Sequence, residues 1–452
     1  MRVGVESYGL KNLEGLVNYV RSGDIGEGAG EVVEYEQWMK CGEEQLLANI
    51  ARYNEDDVRA TKALRDWLVA VRPASLPWRP AVLVTEEYEL DTDALVEALH
   101  DKGEATPEYL LGDLLQYCRR ERSADTTPKY ISMQGDYGPL YDNLDYIAND
   151  TFVRDEAPTG RQKTGRKVFT WPEQKVERSL KADTTFLYSG PDVPYGSADA
   201  VDIDLAAREI TFRWGDRQEL AGGLPTAVVV DDFVHPAAKA TTLKDIAQRV
   251  LDYGIDDERN RLVAAILRGD PPRFSMDGGP ANGVFTDQLE DMYGWVMNLD
   301  ESVIAIQGPP GTGKTYSGSH LIHYLVSHGF RVGVMSMSHS AIDNLMKAAR
   351  KVLDESGASD VQMLRWQDKP DAPIAGLTYS KKKAELGNED FRVIGGTAWM
   401  WANDAIRDTP VDVLLIDEAG QLSLADALVA SNGARNIILL GDPQQLAQVA
   451  KA

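Results

Sequence analysis

Cysteine is scarce in this chain: two in 452 residues. Cys41 and Cys118 stand far apart with no metal-ligand spacing around them, so neither a disulfide framework nor a zinc site is expected. Long hydrophobic runs are missing as well, and the longest fall well short of a membrane span. The N-terminal stretch MRVGVESYGLKNLEG lacks a signal-peptide core, so the expectation is a cytoplasmic protein with no membrane partner. Internal repeats and low-complexity segments are also lacking. Basic charge is in short supply: 47 Lys and Arg face 71 Asp and Glu, a net charge of −24. That balance runs against the basic footprint usual for a nucleic-acid binder. Net charge governs solubility and long-range steering, however, and leaves the charge of one groove open. Local basic clusters stand at Arg119–Arg122, Arg161–Lys167 and Lys381–Lys383, and each reads first as a solvated face.

What is present is more specific. Residues 307–315 read QGPPGTGKT, a full G-x-x-x-x-G-K-S/T loop formed by Gly308, Pro309, Pro310, Gly311, Thr312, Gly313, Lys314 and Thr315. It follows an apolar run, Val303 to Ile306, and opens an amphipathic stretch, so a strand–loop–helix is expected. The glycines let backbone N–H groups turn around phosphates at a helix N-terminus. Lys314 is expected to reach the β- and γ-phosphates of ATP, and Thr315 to place its hydroxyl on Mg²⁺. Downstream, VDVLLI over 411–416 reads as a buried parallel strand that ends in Asp417 and Glu418. Asp417 suits a Mg²⁺ ligand, and Glu418 suits polarising an attacking water. A third apolar run, 436–440, ends in GDPQQL, where Gln445 is the candidate γ-phosphate sensor.

Four regions follow from composition and period. Residues 1–75 read as helical, with helices expected over 12–20 and 44–71. A Pro-containing segment over 72–80 breaks the pattern. Residues 76–165 read as a helical linker region with a helix over 107–120. Residues 166–235 change to short strands (Lys167–Trp171, Thr185–Tyr188, and a hairpin of Val201–Leu205 with Ile210–Trp214), which suggest a small β-barrel. Residues 240–452 alternate strand and helix, which predicts an α/β fold with a parallel sheet covered on both faces.

Further groups narrow the function. Gln288 stands upstream of the loop, and its amide could hold an adenine edge as both donor and acceptor. VGVMSMSHSAIDNL over 332–345 reads as strand, polar turn and helix start, with Ser340 as the N-cap candidate. There Ser338, His339, Ser340 and Ala341 suit contacts along a strand of nucleic acid. VIGGTAW over 393–399 ends a strand in small residues, with Thr397 beside it. Trp399 either stacks a base or packs in the core.

QGPPGTGKT, SHSAIDNL, GGTAW, DEAGQ and GDPQQL together closely resemble superfamily 1B helicases of the Upf1/Dna2-like group, in that order and rough spacing. The resemblance covers about residues 285–450. It implies an ATP-driven, RecA-like P-loop motor acting on single-stranded DNA or RNA, with ATP and Mg²⁺ as cofactors. It also implies that the 166–235 strands form the accessory β-barrel of such helicases. A second resemblance lies N-terminal. Tyr53 to Asp57, YNEDD, has the Tyr-x-x-x-Asp spacing of the last motif of ribonuclease-H-like 3′–5′ exonucleases, which implies Asp57 as a metal ligand. With SYGLKNLE and TKALRDWL, the whole chain resembles bacterial RecB-like nuclease–helicase fusions.

The chain departs from these families at two places. Nothing before Tyr53 supplies the Asp-x-Glu pair of the exonucleases, so nuclease activity is not expected. The sequence ends at Ala452, just after GDPQQL, without the second motor domain and its arginine finger, so the chain reads as a fragment, a mis-started frame or one part of a split protein whose partner chain carries that domain, with slow ATP hydrolysis expected without it. The alternatives are an ATP-dependent clamp that holds single strands without unwinding, and a P-loop NTPase that does not act on nucleic acid.

Overall fold

Residues 10–21, 30–73, 92–158, 164–176, 180–233, 236–275, 278–309, 311–368, 370, 372–442 and 444 are described by the computed structural model. The chain divides into two compact units, residues 1–81 and residues 82–452.

In the first unit the helix Glu44–Val71 runs 28 residues, the span its apolar spacing predicts. It buries Tyr53, Asp56 and Ala60, which share one helix face. The helix expected over 12–20 is instead a short helix, Leu10–Leu13, running into a 3₁₀ turn, Glu14–Val17. Asn18 ends that turn in the left-handed region at φ 52°. The Pro-containing stretch 74–80 lies outside the described residues.

The second unit holds two sheets. In its helical lead-in, Pro107 opens the helix Pro107–Leu115, and Thr106 caps it by accepting from the Tyr109 N–H at 3.2 Å. The single helix expected over 107–120 breaks at Gln116, and a second helix runs Tyr117–Met133. The break has a packing cause. Leu111, Leu115 and Cys118 join a core with Leu243, Ile246 and Leu428, whereas Tyr130 and Met133 serve another core with Leu187 and Val229.

Strands β1 (Tyr146–Ala148), β2 (Thr151–Glu156), β3 (Gly165–Thr170), β4 (Thr185–Gly190), β5 (Val193–Asp204), β6 (Glu209–Trp214) and β7 (Ala227–Val230) form an antiparallel sheet in the order β1-β7-β4-β5-β6-β3-β2. Strand β5 pairs with β4 through its first half and with β6 through its second, changing register between Ala200 and Asp202. The sheet curls around one core: Ile147, Phe169, Phe186, Phe212 and Val228, from five strands, meet there. Among the described residues no pairing joins β1 to β2, so the order is that of a sheet open along one side. It also begins upstream of residue 166, at Tyr146.

The other sheet is wholly parallel. Strands β8 (Val303–Gln307), β9 (Val332–Met335), β10 (Gln362–Arg365), β11 (Thr378–Tyr379), β12 (Phe391–Gly396), β13 (Val411–Asp417) and β14 (Ala434–Gly441) lie in the order β11-β10-β12-β9-β13-β14-β8. Strands β9 and β13 are almost wholly buried because helices cover both faces. One face packs Leu321, Leu325, Ile342 and Leu345 from the helices Lys314–Ser327 and His339–Glu355. The other packs Trp401, Ile406 and Ala430 against Leu414, Ile416 and Ile437. The result is a mixed α/β protein with a parallel sheet. Among the described residues no helix is long and apolar enough to cross a membrane.

Two buried groups generate predictions. Asp150, at the turn between β1 and β2, is fully enclosed, and neither carboxylate oxygen has a hydrogen-bond partner among the described residues. Burial raises its pKa well above the ordinary carboxylate value. The folded state therefore holds this proton more tightly than the unfolded chain. The carboxyl costs no extra stability below its unfolded pKa, and the protein loses stability as pH rises from there towards the folded pKa. Asp150→Asn is expected to stabilise the protein by about 1–3 kcal/mol at pH 8. The gain should shrink towards pH 4, as read from urea unfolding at both values, and a gain independent of pH would contradict this account. Cys118 is also buried, and burial pushes its thiol up to about 11. At pH 8, iodoacetamide should therefore label the exposed Cys41 and leave Cys118 unlabelled until urea is added. Peptide mass spectrometry separates the two, and equal labelling rates would show that this core is open.

Candidate functional site

The register of the parallel sheet brings three strand ends level. Gly441 of β14 pairs with Gln307 of β8, and Leu440 pairs with Asp417 of β13. The chain leaving β8 is tied down at once, because the Gly308 N–H donates to the Gly441 carbonyl at 3.0 Å. The loop then turns through Gly311 and Gly313 at φ 84° and 88°, which side chains rarely adopt. A β-carbon at Gly308 would collide with the Thr312 hydroxyl, which instead donates to the Pro309 carbonyl at 2.8 Å. Gly313 starts the helix Lys314–Ser327. Lys314 folds back over the loop, and its ammonium donates to the carbonyls of Gly308 at 2.6 Å and Pro309 at 3.2 Å. Thr315 is exposed beside it, and Pro310 lies outside the described residues.

Asp417 closes β13 and is buried. Burial raises its pKa, offset in part by the Glu418 N–H, which donates to Asp417 Oδ1 at 3.0 Å, and by the nearby Lys314 charge. Lys314 and Asp417, about a hundred positions apart in the chain, thus lie within electrostatic reach. Glu418 takes a left-handed conformation at φ 55°, and its Oε2 is buried without a hydrogen-bond partner among the described residues. The turn that follows is tight: a β-carbon on Gly420 would stand 2.7 Å from the Asp442 carbonyl. Among the described residues no cluster of three His, Cys, Asp or Glu could cage a metal. Mg²⁺ takes one or two protein oxygens and completes its shell with water and phosphate. The unpartnered Glu418 Oε2 and the desolvated Asp417 are the groups such an ion and its waters would satisfy.

The candidate strand contacts emerge on the same carboxyl edge, from the neighbouring strands β9 and β12, where Gly396 pairs with Met335. Ser338, rather than Ser340, caps the helix His339–Glu355 by accepting from the Ala341 N–H at 3.1 Å. The Ser338 and Ser340 hydroxyls lie 3.2 Å apart. Thr397 begins the short helix Ala398–Trp401 without a side-chain cap. A residue that sequence reasoning missed organises this edge. Arg365, the last residue of β10, is fully buried, and it donates to Asp343 Oδ1 at 2.6 Å and to His339 Nδ1 at 2.7 Å. Its only signal in the sequence is an arginine closing an apolar strand.

Trp399 is half-buried, with the Lys239 ammonium 4.1 Å from its ring centroid. Lys239 also pairs with buried Asp426 at 2.7 Å. Trp399, Lys239 and Asp426 line a cavity of about 220 Å³ with Cys118, Phe233 and Met337. The ring is thus a cavity wall.

Gln288 is exposed and precedes the helix Leu289–Met297, which packs on the loop's helix through Tyr293 and Tyr324 rings stacked at 4.2 Å. Its amide donates to Asp287 at 2.6 Å. Gln445 lies outside the described residues. In the first unit, Asp57 is held by Arg21 at 2.5 Å, and the same guanidinium takes Glu14 at 2.5 Å.

Comparison with known proteins gives two family matches: an AAA domain over residues 287–452 and the RNase_H superfamily over residues 1–69. The DNA replication ATP-dependent helicase/nuclease DNA2 of Saccharomyces cerevisiae is 29% identical over 161 residues, covering 33% of this chain and 10% of that protein. The Mus musculus protein of the same name is 32% identical over 292 residues, covering 62% of this chain and 25% of its own length. The ATP-dependent helicase NAM7 of Saccharomyces cerevisiae is 28% identical over 187 residues, covering 33% of this chain and 19% of its own. The chain thus spans a quarter or less of the length of these three relatives. A solved arterivirus nonstructural protein 10 helicase is 13% identical with a TM-score of 0.24, too low to bear on the fold. With an AAA domain in its C-terminal part, an RNase_H match at its N-terminus and these relatives, the chain is similar to superfamily 1 helicase/nucleases.

Proposed function

We propose that residues 240–452 are the first motor domain of a superfamily 1B helicase, which binds ATP with Mg²⁺ and couples its hydrolysis to holding and moving along single-stranded DNA or RNA. The carrying observation is the sheet register that brings Asp417 level with Gly441 and with Gln307, where the phosphate loop starts, beside a Glu418 Oε2 that has no partner among the described residues. In this reading Lys314 leaves the carbonyls of Gly308 and Pro309 for the β- and γ-phosphates. The Thr315 hydroxyl and the Asp417 carboxylate would hold the ion, which would neutralise phosphate charge. Glu418 orients the attacking water and accepts its proton. Gly308 to Thr315 supply backbone N–H groups, Gln288 turns its amide from Asp287 to the adenine, and Gln445 senses the γ-phosphate. Ser338, His339, Ser340, Ala341, Thr397 and Trp399 form the strand-binding part of the edge.

The same reading extends to the flanks. The curled sheet takes the place of an accessory barrel over 166–235, residues 76–165 form the helical region that leads to it, and residues 1–75 are the tail of a ribonuclease-H-like domain in a bacterial RecB-like nuclease–helicase fusion. We infer that this tail is not itself a nuclease. Arg21 already neutralises Asp57, the candidate metal ligand, and a guanidinium so placed opposes a divalent cation.

Lys314→Ala is expected to weaken ATP binding at least about tenfold, measured with a fluorescent nucleotide. Glu418→Gln should leave that affinity near the wild-type value and lower turnover by about a hundredfold or more. ATPase assays with and without oligonucleotide, at low salt, test the coupling. Turnover that ignores added single strands would exclude the motor reading, and full nucleotide affinity in Lys314→Ala would exclude the site.

A further inference from the structure

His339 is exposed at the strand-binding edge, yet one of its ring nitrogens is committed. Arg365 Nη2 lies 2.7 Å from Nδ1, and a guanidinium can only donate. Nδ1 must therefore be the acceptor, which puts the ring proton on Nε2. Arg365 is itself fixed: it is fully buried, its Nε donates to Asp343 Oδ1 at 2.6 Å, and Nη1 donates to the Trp366 carbonyl at 3.4 Å. Nε2 of His339 has no hydrogen-bond partner among the described residues. We propose that Arg365 is a positioning residue that locks His339 as a neutral, Nε2-protonated imidazole, so that the ring offers one fixed hydrogen-bond donor, not a second cation, to a phosphate or sugar oxygen of a bound strand. This rests on reading the edge as a nucleic-acid face.

Protonating His339 would break the Arg365 bond and set two cations side by side. The charged groups around the ring are Arg365 from β10, Asp343 from its own helix and Lys381 from the segment after β11. Partial burial first, then Arg365, hold the ring below the usual histidine range, with Lys381 adding to this and Asp343 opposing it. The consequence is functional economy in an acidic protein. A strand contact that carries no charge binds through geometry, does not gather counterions, and does not strengthen as pH falls. It also lets the strand slide, because a neutral donor is released more cheaply than an ion pair.

Two measurements on the full chain test this. The first is ¹⁵N NMR of the histidine rings, with His339 assigned by loss of its signals in His339→Gln. The Nε2-protonated tautomer should persist from about pH 8 to about pH 5.5, across the ordinary histidine range. An Nδ1-protonated ring, or titration near the usual value, overturns the lock. The second is the salt dependence of single-strand binding at those two pH values. Arg365→Met should steepen the slope by about 0.7 at the lower pH, one extra phosphate neutralised. The wild type should not gain that increment, and adding His339→Gln to Arg365→Met should abolish it, which subtracts the other histidines. An increment equal in the wild type and Arg365→Met overturns the proposal. If Arg365→Met fails to fold, the ring tautomer in the wild type still decides. If the wild type binds no single strand at low salt, the proposed function fails, while the ring tautomer still establishes or overturns the lock by itself.

Discussion

Everything at the candidate site depends on the register that β13, β14 and β8 share. Parallel strands present side chains alternately to the two faces, so a slip of one residue would move every side chain to the opposite face. Leu415 and Ile438 fill the core on one face, and Leu414, Ile416 and Ile437 fill the core on the other, so a slip would have to exchange side chains between two packed cores. With that register fixed, Asp417, Gly441 and Gln307 end together, and the hydrogen bond from Gly308 to Gly441 launches the loop from a defined height. The tight approach of Gly420 to the Asp442 carbonyl closes the far side. Core packing thus determines where the chemistry-bearing groups stand.

The acidic balance of the chain changes meaning once its cations are located. Several basic residues are internal struts rather than surface charge. Arg122, from one of the basic clusters in the sequence, makes a two-pronged pair with Asp231 at 2.6 and 2.7 Å. Lys167, from another, is half-buried and is already paired with the exposed Asp155 at 2.8 Å. Arg331 is buried and donates to the carbonyls of Thr409 and Leu386, each at 2.6 Å. Lys239 and Arg365 serve as bridges at the edge of the parallel sheet. A charge count sees these only as part of a total, so it says little about which groove is basic.

Much of the parallel sheet was legible in the sequence because strands covered on both faces read as nearly continuous apolar runs, as at 413–416. The phosphate loop was legible because its glycines and Lys314 have a fixed spacing. Strands β1 and β7 were not, being too short for a period to show. Strand β2 failed for a different reason: nearly all its residues are exposed, so no alternation marks it. The Arg365 bridge was invisible because its partners stand 22 and 26 positions away, and only the sheet order brings them together. Asp57 shows how a local motif and a distant partner meet at one residue. Its spacing from Tyr53 suggested a metal ligand, while its partner Arg21 comes from 36 positions upstream.

Two buried carboxyl groups separate burial from function. Asp150 and Asp417 are both enclosed, and burial raises the pKa of each. Among the described residues Asp150 has nothing to offset this: neither oxygen is bonded, and no cation stands near enough to act on it. It is a cost the antiparallel sheet carries. Asp417 has a backbone N–H on one oxygen and Lys314 within electrostatic reach, at the carboxyl ends of the parallel strands, the edge where α/β sheets bind ligands. Lys314, meanwhile, rests on carbonyls that a phosphate could displace. Desolvation alone therefore marks neither residue as functional. What sets the surroundings of Asp417 apart is a nearby lysine that rests on carbonyls, a neighbour whose Oε2 is unpartnered among the described residues, and a place at the strand ends, where the proposed site lies.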